Sequence, residues 1–351
     1  METQIQIINP DDFEADQLQQ ACRILREGGL VAFPTETVYG LGGDALRPEA
    51  AAKIYAAKGR PSDNPLIIHI ADIEAVDDIA EEVSETARRL AQRFWPGPLT
   101  MIFPKKEKVP EATTGGLGTV AVRMPGHPVA AALIRESGVY IAAPSANASG
   151  RPSPTKAEHV REDLGGRIDM ILDGGMVGIG LESTIIDMST QIPVILRPGA
   201  ITKEMLERAA GCTFIDSAVG LEGGQEPDAP KAPGMKYRHY APKGEMVIVE
   251  GRTGAVVDKI NTFVREKQAL GCRVGVIATE ETKELYQCDL VRSVGSHQIK
   301  GSIAAGLYNV LREMDHLEAE FIFAESFEQD GLGSAIMNRM CKAAAYHVIH
   351  V

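Results

Sequence analysis

The sequence predicts an α/β fold in two domains joined by a linker, on three observations. The chain has 351 residues, against about 150 for a typical domain, so two cores fit. Its first two-thirds hold short apolar runs of strand length, separated by helix-period segments or turn-rich loops. Its last third alternates strand and helix patterns, as a small parallel sheet requires. Composition is 44% hydrophobic and 24% charged, ordinary globular usage that excludes wholesale disorder.

The first domain opens with Leu18, Ala21, Cys22 and Leu25 at helical spacing, and Gly28-Gly29 stops that helix before a buried strand at 30–33. Further strands are expected at 66–70, 99–103, 120–123, 140–143, 171–173, 184–188 and 194–197. Thr155-Lys-Ala-Glu158 fits a capping box, with Gly165 ending its helix. A last helix over 202–210 ends at Gly211, so the first domain is 1–216. Residues 217–243, rich in Gly and Pro, form the linker. In the second domain, 244–351, strands at 246–249, 274–278 and 321–323 alternate with helices at 256–270, 303–314 and from Ser334. This half reads as a smaller Rossmann-like α/β domain without a G-x-G-x-x-G turn, and Gly331-Leu-Gly-Ser334 is only a faint anion-site hint.

Charge and cysteines narrow the function. The formal charge is −12, the wrong sign for binding nucleic acid through bulk electrostatics. Acidic residues outnumber basic ones by 28 to 20 over residues 1–205 and by 15 to 11 over 244–351. Only 231–243 is locally basic, with four Lys or Arg and no acid, and Tyr237, His239 and Tyr240 interleave its cations. That segment is either a solvated tether or a lid whose rings stack on a base or close over phosphates. The five cysteines are scattered and none forms a C-x-x-C pair, so neither a disulfide framework nor a thiolate zinc site is expected. With an acidic N-terminus and no long apolar run, a soluble cytoplasmic protein is expected, with no membrane association.

The chemistry is expected in polar turns that follow apolar strands, where α/β sheets present ligand groups. There is no Walker phosphate loop, nucleophile elbow, H-E-x-x-H or kinase catalytic loop. Pro34 begins PTETVYGLGGDA, a glycine turn carrying Thr35, Glu36 and Thr37. Lys53 begins KIYAAKGRPSDNPLIIHI, with Lys58 and Arg60 in a turn before Ser62, Asn64 and a strand ending near His69. Arg123, in VAVRMPGHP, ends an apolar strand, where a guanidinium should meet either an internal carboxylate or a ligand's anion. Ser145 and Asn147, in APSANASGRPSPT, offer a hydroxyl and an amide to phosphate oxygens or a metal-bound water, or simply build a loop.

Together with FWPGPLT, LESTIID and LRPGAIT, these segments closely resemble the YrdC-like threonylcarbamoyl-AMP synthase family, and the linker plus second domain resemble its long, two-domain branch. The resemblance implies a YrdC-like twisted open sheet with helices. It implies the reaction of L-threonine, bicarbonate or CO2 and ATP to threonylcarbamoyl-AMP and pyrophosphate, which makes the chain a nucleotidyltransferase. The product serves the tRNA threonylcarbamoyl-transfer machinery that modifies the adenosine next to the anticodon, with at most a weak tRNA contact here. The family's K-x-R and S-x-N pairs fall on Lys58, Arg60, Ser145 and Asn147, the implied catalytic residues. The implied ATP side adds Ser62, Asn64, Thr119, Ser153, Arg197 and the strap residues Arg238 and Tyr240. The implied threonine pocket is Thr35, His69, Arg123, Ala143 and Ser183. Mg2+ is expected with ATP, without a named protein ligand.

Two other readings remain from sequence. One is a double-stranded RNA or tRNA-binding module without catalysis, which the charge disfavours. The other is carbamoyl transfer, for whose extra modules the chain lacks room and cysteine spacing.

Overall fold

A computed structural model describes residues 2–216 and 240–351, which pack as two compact units. One comprises 2–149, 153–178 and 182–216, and the other 150–152, 179–181 and 240–351. Most of the expected strap, 217–239 with Arg238, lies outside the described residues.

The first unit is built on an 11-stranded sheet. Its strands are β1 (Gln4–Ile7), β2 (Val31–Phe33), β3 (Gly40–Asp44), β4 (Ile67–His69), β5 (Leu99–Pro104), β6 (Thr119–Arg123), β7 (Ile141–Ala143), β8 (Met170–Asp173), β9 (Thr184–Asp187), β10 (Val194–Arg197) and β11 (Ile215–Asp216). They lie in the order β1-β8-β2-β3-β7-β4-β6-β5-β9-β10-β11, with parallel and antiparallel pairs mixed. All the apolar runs expected in this half become strands. Three further strands do not show in the sequence: β11 has two residues, β1 exposes Ile5 and Ile7, and β3 is the glycine-rich GLGGD.

The segment 40–44 was expected as a turn, and the structure corrects this for a steric reason. A Cβ on Gly42 would sit 2.6 Å from Ile141 Cγ2 and 2.8 Å from Phe33 Cε1. The strand therefore uses glycine because neighbouring side chains occupy its face. The capping box at Thr155 is also corrected. The helix Ala157–Leu164 starts after Lys156, with no side-chain cap. The Thr155 amide faces His159 Nδ1 at 3.2 Å, and Glu158 pairs with Arg161 on the surface.

Period-two alternation sorts the sheet's side chains onto two faces. Ile68, Met101, Val122, Ala142 and Ile186 join the main core with residues from helices Pro48–Lys58, Glu85–Phe94, Ala157–Leu164 and Lys203–Ala210. On the other face, Val31, Phe33, Ile141, Ala143, Met170 and Leu172 pack against helices Gln19–Arg26 and Pro128–Ser137. Farther along that second face the apolar cluster is small: Ile67, Ile102, Ala121 and Ile185.

The second unit has β12 (Glu245–Glu250), β13 (Val274–Ala278), β14 (Leu290–Ser293), β15 (Phe321–Glu325) and β16 (Val348–His350), all parallel, in the order β14-β13-β15-β12-β16. Helices Thr253–Ala269, Lys300–His316 and Leu332–Ala343 complete the expected alternation. β14 and β16 escape the sequence because, as edge strands, they keep no continuous buried run. Among the described residues no helix is long and apolar enough to cross a membrane.

Candidate functional site

The small apolar cluster marks the site, because polar side chains stand two residues away from its members and so project from the same face. His69 follows Ile67, Arg123 follows Ala121, Thr100 precedes Ile102, and Ser183 precedes Ile185. Strand register brings them together, pairing His69 with Arg123 and Arg123 with Thr100. Ala143 lies opposite Ile67 across the β7–β4 pair.

At this end of β4, Arg123 is buried and its Nη2 donates to Glu36 Oε1 at 2.7 Å, while Glu36 Oε2 accepts from the Gly126 amide at 3.0 Å. Of the two partners the sequence left open for Arg123, an internal carboxylate is present. Burial raises the Glu36 carboxyl's pKa, but the charge and hydrogen bond of Arg123 outweigh it, and the net shift is downward. His69 is completely buried, and desolvation, reinforced by Arg123, lowers its pKa to about 3. It is therefore neutral at working pH, and its Nδ1 lies 3.1 Å from the Ile67 carbonyl oxygen. Ser183 Oγ lies 2.7 Å from Thr100 Oγ1. Arg197, assigned by resemblance to the ATP side, donates to Ser183 Oγ at 3.2 Å and to its carbonyl at 3.1 Å. The Thr35 hydroxyl closes its own turn, donating to Val38 O at 2.6 Å.

The other end gathers around the S-x-N loop. β7 is antiparallel to β4, so Ala143 leads into a loop at the N-terminal end of β4, and Ser145 bridges to Gly40. Two residue steps of strand, about 7 Å, separate this end from His69. Lys58, buried at the end of its helix, reaches the Ser145 and Asn147 carbonyls, both at 2.5 Å, and Asn147 Oδ1 at 3.4 Å. Ser145 Oγ donates to Asn147 Oδ1 at 2.5 Å. Asp163 supports the loop by accepting from the Ala148 amide at 3.1 Å. Arg60 donates to the Asn64 and Pro65 carbonyls at 3.2 and 3.1 Å. Ser62 is exposed, whereas Asn64 is buried with its Oδ1 unpartnered among the described residues. Thr119 begins β6 on this same side. Ser153 Oγ donates to Glu182 Oε1 at 2.6 Å.

Of the two strap residues assigned to the ATP side by resemblance, Tyr240 is described. Its ring is buried in the second unit, stacked on Tyr308 with centroids 5.3 Å apart. Sequence reasoning missed Thr100, Asp163 and Glu182 as site partners. Thr100 and Glu182 lie within quoted motifs, but Asp163 sits on a helix where nothing in the sequence distinguishes it.

Among the described residues no three His, Cys, Asp or Glu side chains gather to hold a metal. Ser145 Oγ, Asn147 Oδ1 and Asn64 Oδ1 are instead neutral oxygen donors, of the kind that suit an Mg2+ carried on phosphates.

Residues 23–199 match the family model described as telomere recombination, that of the Sua5/YciO/YrdC proteins. Residues 201–345 match the model for the threonylcarbamoyl-AMP synthase C-terminal domain. Threonylcarbamoyl-AMP synthase of Bacillus subtilis is 52% identical over 334 residues, covering 95% of this chain and 94% of that protein. The protein of the same name from Pyrococcus abyssi is 50% identical, covering 95% and 96%. The crystal structure of P. abyssi Sua5 complexed with L-threonine aligns with a TM-score of 0.93 at 48% identity, covering 99% of this chain and all of that one.

Proposed function

The chain belongs to the threonylcarbamoyl-AMP synthase family, and from that membership we propose that it joins L-threonine, bicarbonate or CO2, and ATP into threonylcarbamoyl-AMP with release of pyrophosphate. The observation that carries the reading is the two-ended polar face: His69, Arg123, Thr100 and Ser183 at one end of β4 and a lysine-anchored S-x-N loop at the other.

The chemistry needs no covalent enzyme intermediate. The threonine amine adds to CO2 and loses a proton to give a carbamate. A carbamate oxygen then attacks the α-phosphorus, the bond to the bridging oxygen of the β-phosphate breaks, and pyrophosphate leaves with that electron pair. Positioning and charge compensation are what the protein supplies. Arg123, oriented by Glu36, presents a planar fork to the threonine carboxylate. Neutral His69 and Ser183 border the same space, and Ala143 leaves room beside Ile67. Lys58 places a buried cation behind the loop whose Ser145 and Asn147 face the phosphates, and Arg60, Asn64, Thr119 and Ser153 flank it. Bound with ATP, Mg2+ would offset triphosphate charge, with Ser145 and Asn147 as the residues that share it. The product is then handed to the tRNA threonylcarbamoyl-transfer machinery in the cytoplasm, a location supported by five free, scattered cysteines.

Incubation with ATP, magnesium, bicarbonate and either L-threonine or L-alanine, read by mass spectrometry, tests the reading. Threonylcarbamoyl-AMP is expected from threonine, far less adduct from alanine, and loss of product in Lys58→Ala. Equal adduct from both amino acids would overturn the assignment of the threonine pocket.

A further inference from the structure

Ser183 and Thr100 together hold one hydroxyl proton more than their surroundings take up. A buried O–H needs an acceptor, and each such hydroxyl carries one proton and two acceptor lone pairs. At Thr35 these needs are met within the turn. Its proton goes to the Val38 carbonyl at 2.6 Å, which leaves Thr37, with Oγ1 2.9 Å away, to donate to Thr35. Ser183 and Thr100 differ. Their oxygens lie 2.7 Å apart, both side chains are buried, and among the described residues Thr100 Oγ1 has no other partner. Ser183 Oγ also receives the Arg197 guanidinium at 3.2 Å, a group that can only donate. Two protons are thus present, one serves the bond between the hydroxyls, and no acceptor among the described residues takes the second. Thr100 is the second residue of β5, enclosed between β6 and β9 and paired with Arg123. Ser183 comes just before β9, at the end of the sheet where His69 and Arg123 finish β4 and β6.

We infer that Thr100 is a positioning residue for the amino-acid substrate: its hydroxyl donates to Ser183 Oγ, and the Ser183 proton is thereby directed to an oxygen of the bound threonine. The inference rests on the synthase reading, which puts Ser183 in the threonine pocket. Placement in the sheet decides the direction of the bond. If Ser183 donated to Thr100, the stranded proton would belong to a hydroxyl enclosed between two paired strands, and a buried donor without an acceptor is costly. With Thr100 donating, the spare proton sits on the residue at the strand end, beside the groups that meet the substrate. Arg197 and Thr100 then fill both lone pairs of Ser183, so its hydroxyl cannot turn inward to accept from elsewhere. A donor fixed before the substrate arrives loses little freedom on binding, which favours affinity.

The test is steady-state pyrophosphate release by the full chain, with L-threonine and ATP varied separately. Ser183→Ala should raise the KM for threonine about tenfold, and Thr100→Val, which keeps the shape but removes the hydroxyl, about fivefold. Thr100→Ser restores the hydroxyl and should stay within about twofold of the wild type, as should the KM for ATP in both Thr100 variants. Added to Ser183→Ala, Thr100→Val should change the threonine KM no further, because its effect passes through the Ser183 oxygen. Thr100→Ala reads the same loss if the valine variant does not fold. An unchanged threonine KM in Thr100→Val, or a Thr100→Ser variant as impaired as Thr100→Val, overturns the inference. So does a further rise in the double variant, which would put the Thr100 proton on the substrate itself. In each of these cases the synthase reading stands, whereas absence of threonine-dependent turnover in the wild type removes both.

Discussion

At the scale of single residues, the site depends on groups whose charge state is set by burial. His69 is the clearest case, since its pKa falls to about 3 in the fold from about 6.5 in the unfolded chain. The unfolded state therefore binds a proton that the folded state refuses, and stability falls as pH drops below about 6.5. By pH 5 the loss reaches about 2 kcal/mol, well before the depressed carboxyl of Glu36 begins to titrate. Denaturant unfolding at pH 7 and pH 5 should show this slope in the wild type and a reduced one in His69→Gln. An equal slope in both would mean that the ring titrates normally. His127, whose pKa burial also lowers, keeps a residual slope in the variant. Arg123 separates threonine binding from nucleotide chemistry. Arg123→Gln should raise the KM for threonine more than tenfold, with a smaller effect on the KM for ATP, because it removes a charge-assisted fork. A KM for threonine that stays put would place its carboxylate elsewhere.

At the scale of elements, β3 connects a strand to the site without contributing a polar side chain. Gly42→Ala should cost about 1–3 kcal/mol through overpacking against Ile141 and Phe33. Since Phe33 meets the His69 ring edge-on at 6.1 Å, the variant should also weaken threonine binding. Thermal melting together with threonine titration reads both effects, and a full-strength site on a destabilised fold would uncouple them. β3 also shows where the sequence stops being legible. Strands such as Val120–Arg123 announce themselves because bulky apolar side chains line them, whereas Gly40–Asp44 is a strand whose neighbours fill its face, and that information lies in Ile141 and Phe33. Lys58, Ser145 and Asn147 were recognisable as a motif, and the structure brings them within hydrogen-bonding distance. The same motif did not disclose that the ammonium of Lys58 reaches two loop carbonyls, nor that Arg197 bonds to Ser183. Such contacts depend on strand order, which brings loop carbonyls 87 and 89 positions along the chain to Lys58 and lays β9 beside β5 and β5 beside β6.

At the scale of the whole molecule, charge separates the synthase from a nucleic-acid binder. A chain of net charge −12 gains nothing from bulk attraction to phosphates, so tRNA is expected to bind weakly. Catalysis by the face on β4 through β6 is local and should proceed without RNA. The most direct measurement is the initial rate of pyrophosphate release with ATP and magnesium, omitting L-threonine, bicarbonate and tRNA one at a time from a carbonate-depleted mixture. The rate should vanish without threonine, fall sharply without bicarbonate, and be unchanged without tRNA. Release that persists without threonine, or that appears only when tRNA is present, would contradict the account.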